Sequence, residues 1–361
     1  MTLLCRWEAS GRPLARLPRW AALLVLALTA AAMAWSALVT APRSSAGPAA
    51  ASAPAPRRGE GDLALYAAVH ARMAQGEGYY AAALAEHRAR NYPIRPFVAV
   101  RLPTLAWLQA MLGLGGVRAI MLGLAGACLF ALHWRLKHLA TWPERLAALA
   151  ILAAGGAAAL ATRAGLIHEL WAGLWLTLAL LIRREECWWP ALPAAAAALA
   201  VRELAVPFVL LWLAFALADR RRREAAAVAA LLAVFAAGMA LHFLAIQALR
   251  LPGDPVSQGW SAFAGFRLPL LATWRLTGLH ELPLPLCAAL AVLPLLGWLA
   301  LGARLGLFAA LWFAGLGLMV ALFARPENYY WVQLGLPAYG IGLAFVPRAF
   351  LDLARAALRQ T

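Results

Sequence analysis

Few residues in this chain can do chemistry, and most of them sit where charge is expensive. Asp62 and Tyr66 stand four apart in a stretch of helical periodicity, so they share one helix face. Glu169 lies inside the run Arg163-Ala164-Gly165-Leu166-Ile167-His168-Glu169-Leu170, and Arg202-Glu203 is wedged between two apolar runs. Arg95, Arg101, Arg163, His168 and Arg325 join them at the edges of apolar segments, with Tyr329 and Tyr330 just after Arg325. Ionisable groups in or near hydrocarbon are costly, and those retained face a cavity or a partner. A guanidinium grips a phosphate through paired hydrogen bonds, and a nearby carboxylate can take a proton from an incoming hydroxyl. Together these groups suit an acidic lipid headgroup at a lipid–water border. Plainer readings exist for each. Interfacial arginines reach into headgroups, tyrosines anchor at the interface, and Asp62 can cap a helix.

The elements that carry these residues follow from composition. Of 361 residues, 64% are hydrophobic and only 13% charged, with a mean hydropathy of +0.73. Soluble domains carry about 25% charged residues, so an ordinary cytosolic enzyme is excluded. Continuous apolar runs of about 17–25 residues belong to membrane helices, not to the alternating strands of a barrel. The expected fold is an all-α, polytopic integral membrane helical bundle of about ten transmembrane helices. Spans are expected near 20–39, 117–134, 146–161, 166–182, 187–201, 203–218, 225–249, 283–301, 306–323 and 331–346. The net charge of +16 has a topological source, because arginines collect in cytoplasmic loops. It calls for no nucleic acid.

Segment 97–113 decides which side each loop faces. If it crossed, Arg135, Lys137, Arg145 and Arg220-Arg221-Arg222-Arg223 would lie outside. If it rests half-inserted on the outer face, all of these lie inside with Arg183, Arg184, Arg304, Arg348, Arg355 and Arg359. The positive-inside rule selects the second arrangement. Residues 1–19 and 347–361 are then cytoplasmic segments flanking a transmembrane domain over 20–346, with external loops at about 40–116 and 250–282. A bacterial-type inner membrane is the expected location. Arg6, Arg12, Arg16 and Arg19 precede the apolar stretch Trp20–Val39, which is longer than a secretion-signal core.

In the first loop, residues 41–58 are Pro/Ala/Ser-rich and read as a tether. Leu63, Tyr66, Val69, His70 and Met73 predict an amphipathic helix over Asp62–Met73. Gly76-Glu77-Gly78 breaks it, and a second helix over Tyr79–Arg90 ends at Asn91-Tyr92-Pro93. Both should lie along the bilayer surface. In the second loop Trp260, Phe263, Phe266 and Trp274 accompany Arg267 and Arg275, a set that can stack on sugar rings or anchor the loop. Asp254 reads as a turn residue, and His133, His138 and His242 receive no role. Cys5, Cys128, Cys187 and Cys287 form no CxxC pair. Gly113-Leu114-Gly115-Gly116 reads as a loop between helices, not a phosphate cradle. No residue set marks a metal site; a divalent cation is compatible with the sequence, and the cofactor is left unassigned.

Several motifs resemble the GT-C class of integral-membrane glycosyltransferases, which includes protein O-mannosyltransferases and lipid A aminoarabinose transferases. Gly61-Asp62-Leu63-Ala64-Leu65-Tyr66 is similar to that family's D-E-x-x-Y start of the first external loop, with Leu63 in place of the second acid. Tyr92-Pro93-Ile94-Arg95-Pro96-Phe97 looks like its Pro-containing surface helix. Arg163 to Glu169 resembles its second acidic position, and Arg202-Glu203 a later basic helix entrance. Arg325-Pro326-Glu327-Asn328-Tyr329-Tyr330 with Pro337 resembles its late R-x-x-Y…P element. The resemblance implies inverting transfer of a sugar from a polyprenyl-phosphate donor to a glycan, lipid or protein acceptor. It implies Asp62 as general base, Glu169 as second candidate, and Arg202, Arg95, Arg101 and Arg325 on the phosphate. Tyr66, Tyr329 and Tyr330 would orient sugar or headgroup. Arg163, His168 and Glu203 complete the expected binding set. Two other classes stay open: a transporter or lipid flippase, and a non-catalytic membrane protein of envelope assembly.

Overall fold

Leu, Ala and Val at nearly every position of the long runs leave the backbone one way to satisfy its polar groups without water, which is helix. The computed structural model describes Trp7 and residues 11–41, 61–161 and 163–359. The expected tether from 42 onward, Glu60 and Cys5 lie outside the described residues. The first long helix is α1 (Arg19–Thr40), followed by the short α2 (Asp62–Ala74) and α3 (Tyr79–Ala89). Next come α4 (Thr104–Leu136), α5 (Trp142–Gly156) and α6 (His168–Ile182). Helices α7 (Ala191–Val201), α8 (Val206–Ala218) and α9 (Arg222–Ala248) follow, and then α10 (Arg267–Leu276) within the second loop. Helices α11 (Leu284–Leu290), α12 (Leu293–Leu301) and α13 (Ala303–Phe323) lead into a broken 3-10 segment over Pro326–Leu334, and α14 (Val346–Leu358) closes the chain. Among the described residues the sole β pairing is an isolated bridge between Arg95 and Val256.

Six helical segments are long and apolar enough to cross a membrane: Arg19–Thr40, Phe97–Leu136, Trp142–Leu160, Arg222–Ala248, Leu284–Leu301 and Ala303–Phe323. A seventh is reached if the pair Pro326–Leu334 and Leu336–Leu358, bent by 58°, counts as one. The expected ten are therefore not all of crossing length. The other three, at 166–182, 187–201 and 203–218, are α6, α7 and α8, of 15, 11 and 13 residues. At about 1.5 Å per residue they measure about 22, 16 and 20 Å, short of the roughly 30 Å hydrocarbon core. The expected loop at 113–116 is helical except at Gly113, whose φ of 68° redirects α4 and sets residues 104–112 apart from the rest. The C-terminal segment folds as α14, packed on α1 and α12 through Ala349, Leu353 and Ala356, with Asp352 holding Arg12 at 2.6 Å.

The distribution of side chains separates two ends. Arg88–Asp254, Arg101–Glu169, Arg202–Glu169 and Arg325–Glu327 all join residues expected outside. Arg12–Asp352, Arg183–Glu224, Arg221–Glu185, Arg304–Asp219 and Arg348–Glu144 all join residues expected inside. Between the ends, α1 and α9 turn apolar side chains outward; Leu38 is 76% exposed and Val234 71%. Such faces are unfavourable in water and neutral in lipid.

The central packing is close. Helix α6 lies against α4, α7 and the 326–334 segment. A Cβ on Gly173 would overlap the Gln333 carbonyl, and one on Gly297 the Gly342 carbonyl. Gly173→Ala and Gly297→Ala should each cost about 1–3 kcal/mol through forced displacement, whereas Gly123→Ala, with open space around it, should stabilise slightly through helix propensity. Thermal unfolding of the three variants in detergent checks this; equal melting temperatures would contradict it.

Candidate functional site

Gly61 is the N-cap of α2, with φ 118°, so Asp62 is the first helical residue, one position past the cap. The capping role open to Asp62 in the sequence is not used. Its Oδ2 instead accepts a hydrogen bond from the Tyr330 hydroxyl at 2.7 Å. One turn on, Tyr66 receives Arg101 Nε at 2.8 Å, and the guanidinium carbon lies 5.8 Å from the Tyr66 ring centroid. Arg101 Nη2 also reaches the Tyr330 oxygen at 3.3 Å and Glu169 Oε1 at 3.5 Å. Glu169 Oε1 accepts from Arg202 Nε at 2.7 Å, and Arg202 Nη1 pairs with Glu203. A continuous polar chain thus runs Asp62, Tyr330, Arg101, Glu169, Arg202, Glu203. Its inner part is nearly sealed, with Arg202 1% and Glu169 3% exposed.

Local sequence explains how the members arrive there. Arg202 is extended (φ −150°, ψ 117°) and ends α7, while Pro207 fits the first turn of α8. Glu169 stands in the first turn of α6, where a carboxylate also meets the positive end of the helix. The Glu169–Arg202 pair, where α6 starts and α7 ends, forms an ionic floor.

Above the floor opens a cavity of about 440 Å³. Its lining includes Asp62, Tyr66, Arg101, Arg202, Glu203, Arg325 and Tyr330, with His87, Asn91, Gln258, Trp260 and Asn328. The second loop forms one wall. Ile94 N and Arg95 N donate to Pro255 O at 2.8 and 3.2 Å, and Ser257 N donates to Arg95 O at 2.6 Å. Asp254 does more than turn the chain: it accepts Arg88 Nε at 2.7 Å and Leu251 N at 2.9 Å. Arg325 Nε and Nη2 hold the Gly259 and Gln258 carbonyls, both at 2.8 Å. Trp260 stands edge-on to Trp331, centroids 6.3 Å apart.

Several expected site residues fall elsewhere. Arg95 does not line the cavity; its Nη2 donates to Asp254 O at 3.2 Å, so it fastens the wall. Arg163 is exposed and outside the lining. His168 is buried beneath Tyr66, with ring centroids 4.7 Å apart. Tyr329 lies under Arg275, whose guanidinium is 5.0 Å from its ring centroid. Arg101 Nη1 and Arg202 Nη2 both have no protein acceptor among the described residues, but Arg101 is 12% exposed and Arg202 1%, so Arg101 is the more accessible cation of the floor. Asp62 Oδ1 is likewise without a protein donor. No group of three or more His, Cys, Asp or Glu side chains among the described residues converges as a metal site.

His87, Asn91, Gln258 and Asn328 were not expected in the site. Only the side-by-side placement of the two long loops, before α4 and after α9, brings them in. Burial pushes the His87 imidazole down to about 4, so it is neutral at pH 7. Its Nδ1 lies 2.9 Å from the Pro93 carbonyl and must carry the proton, leaving Nε2 as an acceptor. Burial likewise holds the Tyr66 phenol above its ordinary value, so it stays protonated and is not a base.

Removing one partner of a buried pair leaves an uncompensated charge, so Glu169→Gln and Arg202→Met should each cost about 3–5 kcal/mol. The double variant should lose clearly less than the sum; strict additivity in thermal unfolding would mean the two do not interact. The Arg88 hydrogen bond holds the Asp254 carboxyl below its ordinary range. Its contribution is complete above the unfolded value of about 3.9 and fades as pH falls through the lower folded value. Hydrogen exchange at residues 250–258 should therefore be flat from pH 7 to about 4 after correction for intrinsic rates, and Asp254→Asn should raise it throughout. Comparison with protein-family models, curated protein sequences and solved structures finds no match for this chain.

Proposed function

We propose that this protein is a membrane glycosyltransferase of the inverting kind. It would move a sugar from a polyprenyl-phosphate donor to an envelope acceptor at the outer face of a bacterial-type inner membrane. The observation that carries this reading is Asp62 in the lining of a 440 Å³ cavity, its Oδ2 oriented by Tyr330 and its Oδ1 without a hydrogen-bond donor among the described residues. The acceptor hydroxyl gives its proton to Asp62 as its oxygen bonds to the anomeric carbon. The bond from that carbon to the phosphate oxygen breaks, and the electron pair leaves with the polyprenyl phosphate. Arg101 Nη1 faces that developing charge, with Arg325 at the rim. Arg202 supports Arg101 through Glu169 and does not itself grip phosphate. Trp260 offers an aromatic face at the size of a sugar ring.

Purified protein with polyprenyl-phosphate sugars should show transfer that Asp62→Asn lowers about 10²- to 10⁴-fold, the usual weight of a general base. Equal turnover removes Asp62 from the role. Single cysteines placed at residues 77 and 222 should react with an impermeant thiol reagent from opposite sides of the membrane, 77 from outside. Labelling of both from one side contradicts the topology.

A transporter or flippase is the second reading, favoured by the broken segment between Pro326 and Leu358, since discontinuous helices line many transport sites. Proteoliposome uptake that survives Asp62→Asn would support it.

A further inference from the structure

The end of the bundle opposite Asp62 holds a second polar recess, lined by Arg135, Arg183, Glu185, Arg304, Leu180, Leu305 and Phe308. Three guanidinium groups face one carboxylate there. Two of them are already matched. Arg183 Nη2 is 2.8 Å from Glu224 Oε1, and the Arg183 guanidinium lies 5.6 Å from the ring centroids of Trp212 and Phe308. Arg304 pairs with Glu185 at 2.6 Å and with Asp219. Arg135 is different. Its Nε is buried without a hydrogen-bond partner; Glu185 and Glu186 attract it from beyond ion-pair distance while Arg183 and Arg184 repel it. A cation held only at a distance in an apolar setting favours a closer counter-ion.

Neighbouring aromatics set the level of this recess. Trp134, Trp142 and Trp189 are 52%, 56% and 64% exposed. Lys137 Nζ lies 5.2 Å from the Trp134 ring centroid, and the Arg145 guanidinium 4.7 Å from that of Trp142. Exposed tryptophans beside cations mark the headgroup layer. The recess is small, about 20 Å³. One water-sized atom needs about 10–15 Å³, so there is room for one or two oxygens and none for a sugar.

We propose that Arg135, with Arg183 and Arg304, binds the one or two oxygens that a phosphate group can insert into this recess from its mouth, the phosphate supplied by an anionic lipid headgroup or by free phosphate. The site is separate from the Asp62 cavity and does not depend on the transferase reading. Native mass spectrometry of the full chain from neutral detergent, with phosphatidylglycerol and phosphatidylcholine offered in turn, tests it together with inorganic phosphate titration. Retention of one phosphatidylglycerol in preference to phosphatidylcholine is expected. Arg135→Gln should lower that occupancy about fivefold, as expected for one basic side chain at a headgroup, and Arg135→Lys should keep most of it. The exposed Arg163→Gln should change nothing. Competition by millimolar inorganic phosphate would assign the site to free phosphate; lack of competition assigns it to lipid. Equal retention of the two lipids together with no phosphate binding overturns the proposal, even if Arg135→Gln fails to fold. Unchanged binding of both probes in a folded Arg135→Gln also overturns it.

Discussion

Glu169 is a carboxylate 3% exposed at the start of an apolar helix, and burying it is costly unless paired charge faces it, which Arg101 and Arg202 supply. That requirement brings three distant stretches of chain to one point: the approach to α4 with Arg101, the start of α6, and the end of α7 with Arg202. Tyr330 then joins Arg101 to Asp62 and draws in the 326–334 segment. The exposed end of the polar chain inherits its geometry from the buried end. Of the arginines that look available for a ligand in the sequence, Arg202 is spent on Glu169 and Glu203, and Arg95 and Arg325 on loop carbonyls, while Arg101 is the more exposed cation of the floor.

Floor and wall are held by different forces. The floor uses charge in a low-dielectric setting, where each pair is strong and its loss severe. The wall formed by residues 254–260 uses backbone hydrogen bonds to residues 94 and 95, the Arg88–Asp254 pair, and Arg325 on two carbonyls. Those contacts are nearer to water, and each is weaker. Movement that admits or releases a ligand is thus cheapest on the side of the second loop.

Much of the helical scaffold was legible from residue order alone. The apolar runs mark six segments of crossing length, and the short helices expected at Asp62–Met73 and Tyr79–Arg90 appear as Asp62–Ala74 and Tyr79–Ala89. Hydropathy counts apolar residues but does not see where a helix is stopped by its own polar end. For that reason α6, α7 and α8 looked like full crossings. Within the site, Asp62, Tyr66, Arg101, Arg202, Glu203 and Tyr330 could be found because charge and phenol stand out against an apolar background. Arg95, Arg163 and Tyr329 stand out in the same way, and nothing local tells them from the others. Pairing across the fold does. Gln258 was missed for the converse reason, being an unremarked polar residue that matters only once two loops meet, and His87 stood out among the boundary polar groups without a role.

Helices α1 and α9 make little contact with the interior and present rows of aliphatic side chains outward. Along those rows one aliphatic residue can replace another with almost no cost, since lipid chains adapt to any such contour. These two helices should therefore drift quickly during evolution, while Gly173 and Gly297, hemmed in by carbonyl groups, hold still. What the outward rows cannot absorb is a single ionised residue near their midpoints.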